Sequence, residues 1–207
     1  MTRWILVDYG EVISAPLAAD TVLRLASLAE QHPDEFRDHY WRFRRRYDLG
    51  QSDIGYWSEV LDRDLSAEPT LVDQLVRVDV AGWMTLNPQT LLTLMEFAAR
   101  PRVKLALLSN APQPIALAID TSTWSRHFDR RFYSCRLQLA KPDTAVFELV
   151  LRELAASPES VLFIDDRAEN TQAAARLGVE VARFTSAEAM LRRLRDWESG
   201  TRSRVSD

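Results

Sequence analysis

A single cysteine, Cys135, stands in 207 residues. No intramolecular disulfide or cysteine metal cluster can form, and a reducing compartment, the cytoplasm, is the expected setting. Long hydrophobic runs are also missing. The N-terminal apolar stretch, Trp4 to Val7, is broken by Asp8 and is too short for a signal core or a membrane span. With 6 Gly, 9 Pro, 46% hydrophobic and 27% charged residues, collagen-like, disordered and low-complexity readings fail. Neither sign of charge dominates: 26 basic against 30 acidic residues give a net −4, so nucleic acid and anionic membranes are not expected partners. Any anionic ligand must be met by local groups. Lysine is the scarcest charged residue. Of the 26 basic residues only Lys104 and Lys141 are lysines, and a position that keeps one against an arginine background is expected to need a compact ammonium.

Short aliphatic runs at Trp4 to Val7, Val103 to Leu108, Val161 to Ile164 and Val179 to Phe184, with Arg131 to Ser134 weaker, read as strands. They are near-continuously apolar, the pattern of parallel strands covered on both faces. Amphipathic stretches lie between them, including Asp143 to Ala156 and Ala168 to Leu177, the latter closed by Gly178. Thr185 and Ser186 are placed to cap a helix over Ala187 to Trp197. The fold class is therefore α/β.

Val12 to Pro101 spans about 90 residues where a crossover needs roughly a dozen. Helices are expected there over Ala18 to Gln31, Asp34 to Asp48, Asp53 to Arg63 and Pro69 to Trp83, with Pro88 to Ala99 as the crossover itself. The expected organisation is a core of residues 1–15 and 85–198, an all-helical cap of 16–84 and a flexible polar tail of 199–207. Such a cap would sit over the carboxyl ends of the strands, where open parallel sheets bind ligands.

The strand ends carry the chemistry. The first strand runs into Asp8, the second into Ser109 and Asn110, the fourth into Asp165 and Asp166, and Lys141 precedes a helix. Carboxylates gathered at the mouth of a buried sheet are costly to desolvate and repel one another. A divalent cation is implied, and oxygen ligands without His or Cys point to magnesium, commonly shared with a substrate phosphate.

These residues resemble the haloacid dehalogenase-like superfamily of hydrolases, mostly magnesium-dependent phosphatases. The resemblance rests on four segments in order: Val-Asp-Tyr-Gly-Glu-Val-Ile (Val7 to Ile13), Leu-Leu-Ser-Asn (Leu107 to Asn110), Lys-Pro-Asp-x-x-x-Phe (Lys141 to Phe147) and Phe-Ile-Asp-Asp-Arg-x-Glu-Asn (Phe163 to Asn170). Tyr47, Gly50 and Trp57 are similar to a pattern in the family's helical caps. The resemblance implies a Rossmann-like, doubly wound parallel sheet. It implies Asp8 as the nucleophile that forms an aspartyl-phosphate, Lys141 as its charge partner, and Ser109 with the Asn110 backbone amide as holders of the phosphoryl oxygens. Tyr9 and Gly10 join Asn110 as substrate-binding positions. Asp8, Asp166 and Asp165 are the implied metal ligands, with Asp166 favoured for direct ligation. The implied substrate is a small phosphorylated metabolite, a sugar phosphate by preference; oligomeric state is left unread.

One departure stands out. The family usually places a second Asp two residues after the nucleophile as acid and base, and this chain has Gly10. A branch with Asp-x-Gly-Asn-Val shares the lack. Glu11 is the local substitute, and Asn170 a supporting position. The alternative is a catalytically impaired protein that binds a phosphorylated ligand or partner. A 2-haloacid dehalogenase is the lesser rival, because Tyr9 falls one position too early for that chemistry's first motif and the acidic pair is present. The run Arg42, Arg44, Arg45, Arg46 accompanies an inward aromatic stripe of Phe36, Tyr40, Phe43 and Tyr47, which leaves most of those arginines on a solvated face, with one as a candidate grip on a substrate's distal anion. Trp41, Trp57 and Trp83 are expected in the core of the cap. His32, His39 and His127 have no ligand spacing.

Overall fold

The computed structural model describes residues 2–200. Five strands, β1 (Arg3–Val7), β2 (Val103–Ser109), β3 (Arg130–Tyr133), β4 (Val161–Asp165) and β5 (Glu180–Arg183), form one sheet in the order β3-β2-β1-β4-β5. Every neighbouring pair is parallel. All carboxyl ends therefore lie at one edge.

Between β1 and β2 run α1 (Ala19–Leu28), α2 (Pro33–Asp48), α3 (Asp53–Leu61), α4 (Pro69–Trp83) and α5 (Pro88–Ala98). After β2 come α6 (Gln113–Thr121), α7 (Ser134–Leu137), α8 (Thr144–Leu154), α9 (Ala168–Ala175) and α10 (Ala187–Ser199). No helix among the described residues is long and apolar enough to cross a membrane.

Strand alternation builds two cores. Ile5, Val7, Leu105, Leu107, Leu162 and Ile164 face the helices α5, α6 and α10, where Phe97, Ile119 and Leu194 are fully buried. Trp4, Leu6, Ala106, Leu108, Val161 and Phe163 face α8 and α9. Both faces of the sheet are covered, which explains why the central strands read as continuous apolar runs. β5 departs from that expectation. It is an edge strand, mostly half-buried and ending in exposed Arg183, so one side of its ladder has no neighbour among the described residues and the polar Glu180 and Arg183 are tolerated.

The first four helices have a core of their own around Phe36, Tyr40, Tyr56, Trp57 and Leu75. Local signals set their ends. The His32 ring accepts from the Asp34 N–H at the start of α2, Pro33 occupies the first turn, and Asp34 with Glu35 there and Arg45 with Arg46 in the last turn oppose the helix dipole. Ser52 caps α3, Asn87 caps α5, Asp143 caps α8 and Ser186 caps α10. The chain leaves the sheet and returns to it side by side: Ala15 N–H donates to the Thr85 carbonyl (2.7 Å) and Asn87 N–H to that of Ile13 (2.8 Å).

Arg42, Arg45 and Arg46 are exposed, as expected for most of the basic run, while Arg44, one turn from Tyr40, turns inward with the aromatic stripe and is 6% exposed. One expectation for this region needs correction: Trp41, expected in the core, is 42% exposed. The tail assigned to 199–207 lies outside the described residues from 201 onward.

Candidate active site

Asp8 is the first residue beyond β1. Its N–H donates to the Ile164 carbonyl at 2.9 Å, which sets its carboxylate between the ends of β1 and β4. Lys141 Nζ lies 2.7 Å from Asp8 Oδ1 and 2.7 Å from Asp165 Oδ2. All three side chains are buried. The ammonium thus bridges the residue after one central strand to the last residue of its neighbour.

Asp165 is the most heavily tied group of the cluster. Besides Lys141 it accepts from the Arg167 N–H (2.9 Å) and from Asn170 Nδ2 at both oxygens (2.9 and 3.0 Å). Asp166, next along the chain, is half-buried, and each of Asp8, Asp165 and Asp166 offers one oxygen within 4.8 Å of the others.

Electrostatics follow from that crowding. Burial pushes the Asp8 carboxyl up to about 7, with Asp165 and Asp166 adding to the rise and Lys141 opposing it. Burial also raises Asp166, followed by the charges of Asp165 and Glu11. Burial disfavours the Lys141 ammonium, but Asp8 and Asp165 outweigh it and hold the group above its ordinary value. Three carboxylates against one ammonium leave an excess of negative charge that a cation would relieve. The donor set is all hard oxygen, which fits magnesium.

The remaining expected residues surround the same cavity of about 550 Å³. Ser109 lines it, and its hydroxyl has no hydrogen-bond partner among the described residues, so it is free to donate to a ligand. Asn110 also lines it, yet its carboxamide is committed to the Lys141 backbone. Tyr9 has both polar groups engaged: its N–H donates to Asp8 Oδ1 (2.7 Å) and its hydroxyl to the Trp83 carbonyl (2.7 Å). Tyr9 therefore orients the turn that carries Asp8. At Gly10 a Cβ would meet the Trp83 ring at 3.6 Å, an ordinary contact, so crowding does not account for the missing side chain. Glu11 has a left-handed backbone, φ 56°, and lines the cavity beside Asp166.

The helical insert contributes two carboxylates that sequence reasoning did not single out, Asp48 and Asp79, together with Tyr40, Arg44 and Trp83, whose mutual contacts it did not foresee. Trp83 Nε1 donates to the Tyr40 hydroxyl (2.9 Å), which donates to Asp79 Oδ1 (2.6 Å) and accepts from Arg44 Nη1. Asp48 and Trp83 line the cavity. The only sequence signal for Asp48 was its place four residues after Arg44, the spacing of a helical ion pair.

A family model described as haloacid dehalogenase-like hydrolase matches residues 6–178. Drimenol cyclase of Aspergillus calidoustus is 25% identical over 199 residues, 94% of this chain and 36% of that protein. A phosphorylated carbohydrates phosphatase of Thermotoga maritima is 32% identical over 87 residues, 42% of this chain and 40% of that protein. The chain thus spans less than half the length of either relative. Among solved structures, an HAD family enzyme of Bacteroides thetaiotaomicron has a TM-score of 0.73 at 17% identity, covering 98% of this chain and 99% of that one. Its wild-type complex with magnesium and inorganic phosphate has a TM-score of 0.68 at 15% identity, covering 89% and 95%. L-2-haloacid dehalogenase of Xanthobacter autotrophicus has a TM-score of 0.64 at 21% identity, covering 99% and 86%. At such identities the structural likeness speaks for the fold alone.

Proposed function

The chain belongs to the haloacid dehalogenase-like hydrolase family, and on that premise we propose that it is a magnesium-dependent phosphatase acting on a small phosphorylated metabolite. The observation that carries this reading is Lys141 Nζ held 2.7 Å from both Asp8 and Asp165, with Asp166 within shared reach of the same carboxylates. Asp8 attacks phosphorus in line through Oδ2, the oxygen that neither Lys141 nor the Tyr9 N–H holds, and the aspartyl-phosphate so formed is then hydrolysed. Lys141 neutralises charge on the nucleophile and the phosphoryl group, and Ser109 with the Asn110 N–H holds phosphoryl oxygens. Asp8 and Asp166 are the direct ligands of magnesium, with Asp165, already saturated by hydrogen bonds, shaping the site behind them. When bound, the ion supplies positive charge against the phosphoryl oxygens. Residues 16–84 act as a cap over the strand ends of the core, residues 1–15 and 85–198.

The relative that hydrolyses phosphorylated carbohydrates supports a sugar phosphate as substrate. Displacement of halide from carbon needs no cation, so the Asp8, Asp165 and Asp166 cluster favours phosphate over halide.

The test is phosphate release from an aryl phosphate with magnesium, with chelator, and in Asp8→Asn. Turnover lost in both controls supports the reading. Gly10 favours one second reading, a non-catalytic binder of phosphorylated ligands; retained ligand binding with no magnesium-dependent turnover across a metabolite panel would establish it.

A further inference from the structure

Gly10 leaves the reaction proposed above without the usual group to protonate the departing oxygen. Among the described residues five carboxylates line the cavity: Asp8, Glu11, Asp48, Asp166 and Glu169. Asp8 and Asp166 belong to the nucleophile and metal cluster. Glu11 adds its charge to that cluster through Asp166. Glu169 is exposed and faces the exposed Arg167 at 3.9 Å. Asp48 remains, at the end of α2, with its side chain 15% exposed.

The placement of Asp48 is fixed from two sides. Arg44 Nε donates to Asp48 Oδ1 at 2.9 Å. The Asp48 backbone carbonyl accepts from the Ser134 hydroxyl, whose oxygen accepts from the Ala111 N–H at 3.0 Å. The end of α2 is thereby tied to the segment that follows β2, next to Ser109 and Asn110. Gly50 shows how close the approach is: with φ at +104°, its Cβ would lie 3.1 Å from the Cys135 carbonyl oxygen, so only glycine fits both the turn and the gap.

The bland alternative makes Asp48 a structural partner of Arg44. Charge counting argues against that as its whole role. Arg44 carries one positive charge and meets two carboxylates, Asp48 and Asp79. Asp79 is 1% exposed and bonded to Tyr40, so it is sealed within the helical core. Asp48 is the nearer partner, at 2.9 Å against 3.4 Å, but only its Oδ1 is engaged among the described residues, and of the two carboxylates it is the one that lines the cavity.

We infer that Asp48 is the general acid and base of the phosphatase reaction, replacing from the helical insert the group that Gly10 lacks. The inference rests on the phosphatase reading. In the first half-reaction Asp8 Oδ2 bonds to phosphorus as the ester P–O bond breaks, and the Asp48 carboxyl gives its proton to the departing oxygen. In the second, the Asp48 carboxylate takes a proton from water as the water oxygen bonds to phosphorus. The P–O bond to Asp8 then breaks, releasing inorganic phosphate and restoring both residues. The charged groups facing Asp48 are Arg44 on its own helix, Asp79 from α4 and Arg167 from the turn before α9. Burial outweighs the two arginines and lifts the carboxyl up to about 6, a value suited to both proton transfers near neutrality.

Pre-steady-state kinetics of Asp48→Asn separate the roles. With p-nitrophenyl phosphate, whose leaving group needs no proton, the variant is expected to release a burst of about one nitrophenol per active site and then turn over about 10²-fold more slowly than the parent. With glycerol 2-phosphate, whose alkoxide needs the proton, no burst is expected and kcat falls about 10²–10⁴-fold. Asp48→Glu, which restores a carboxyl, recovers part of both rates, and thermal melting checks that each variant is folded. Equal losses of burst and steady state on both substrates, or none, with the fold intact, would overturn the role of Asp48 alone. A parent without Asp8-dependent turnover would overturn the phosphatase reading and this inference together.

Discussion

Asn110 and Lys141 exchange two hydrogen bonds: Asn110 Nδ2 donates to the Lys141 carbonyl at 2.9 Å, and the Lys141 N–H donates to Asn110 Oδ1 at 2.9 Å. The end of β2 thereby clamps the backbone from which the ammonium reaches Asp8 and Asp165. The clamp needs a donor and an acceptor on one planar group. Aspartate supplies only acceptors and would face a carbonyl with its charge. Asn110→Asp is expected to lower kcat by about 10²-fold through displacement of Nζ, with a smaller effect on KM. Steady-state kinetics on a folded variant check this; a variant with the parent's kcat would show that the clamp does not set the ammonium.

Lys141 is 2% exposed in a chain that otherwise uses arginine. The guanidinium is larger and planar, and it cannot sit as a point charge 2.7 Å from both Asp8 and Asp165. Lys141→Arg is expected to cost at least about 10²-fold in kcat, since misplacement alone reaches that size. Lys141→Met leaves Asp8 and Asp165 buried without their counter-charge, and is expected to destabilise the fold by about 3–5 kcal/mol. Urea denaturation of the metal-free protein measures the second effect. A neutral outcome there would mean that the two carboxylates are already protonated in the fold.

Residues whose placement depends on local sequence were legible. Asp8, Ser109, Asn110, Asp165 and Asp166 each close or follow a buried strand, and Lys141 precedes a capped helix, so parallel topology alone gathers them. α6 was not anticipated; Pro112 and Pro114, which precede its stripe of Ile115, Ala116 and Ile119, occupy its N-cap and first turn. The contacts of Arg44, Asp48 and Trp83 were illegible for another reason. Their roles arise where α2 and α4 meet the strand-end loops, a contact between segments far apart in sequence. A basic run reads as solvated until the acids that pull one of its members inward are known to lie on another helix, as Asp79 does. The side-chain roles of Tyr9 and Asn110 were hidden for the same reason, because their partners, Trp83 and Lys141, come from distant segments.

Asp166 carries a cost in the metal-free chain. Burial, then Asp165 and Glu11, raise its carboxyl, so its charge is paid for in stability and retained for binding. Asp166→Asn is expected to raise the Tm of the metal-free protein by a few degrees, because about 1 kcal/mol shifts Tm by roughly 2–4 °C at this size. The same variant is expected to lose the Tm increase that magnesium gives the parent by binding the native state. Thermal melts with chelator and with magnesium test both halves; an Asp166→Asn protein that magnesium still stabilises as it does the parent would remove Asp166 from the ligand set.

Asp48 makes the stability of the fold depend on pH in a predictable sense. Burial lifts its folded value up to about 6 against the pull of Arg44, while the unfolded carboxyl titrates at about 3.9. Between these values the native chain holds a proton that the unfolded chain has released, so the contribution of this group is fully present below about pH 4 and is lost as pH rises through about 6. The slope from one such group is at most about 1.4 kcal/mol per pH unit. Asp8 is also raised by burial and titrates in the parent and variant alike; Asp79, raised by burial too, shares Arg44 with Asp48, so the difference between the two proteins reports Asp48 together with its coupling to Asp79. Asp48→Asn cannot ionise, and its stability relative to the parent is expected to improve by about 2–3 kcal/mol from pH 4 to pH 6.5. Urea denaturation at the two pH values, with chelator present throughout, measures that change. A stability difference that stays constant across the window would mean that Arg44 holds the Asp48 carboxylate ionised in the fold at every pH tested.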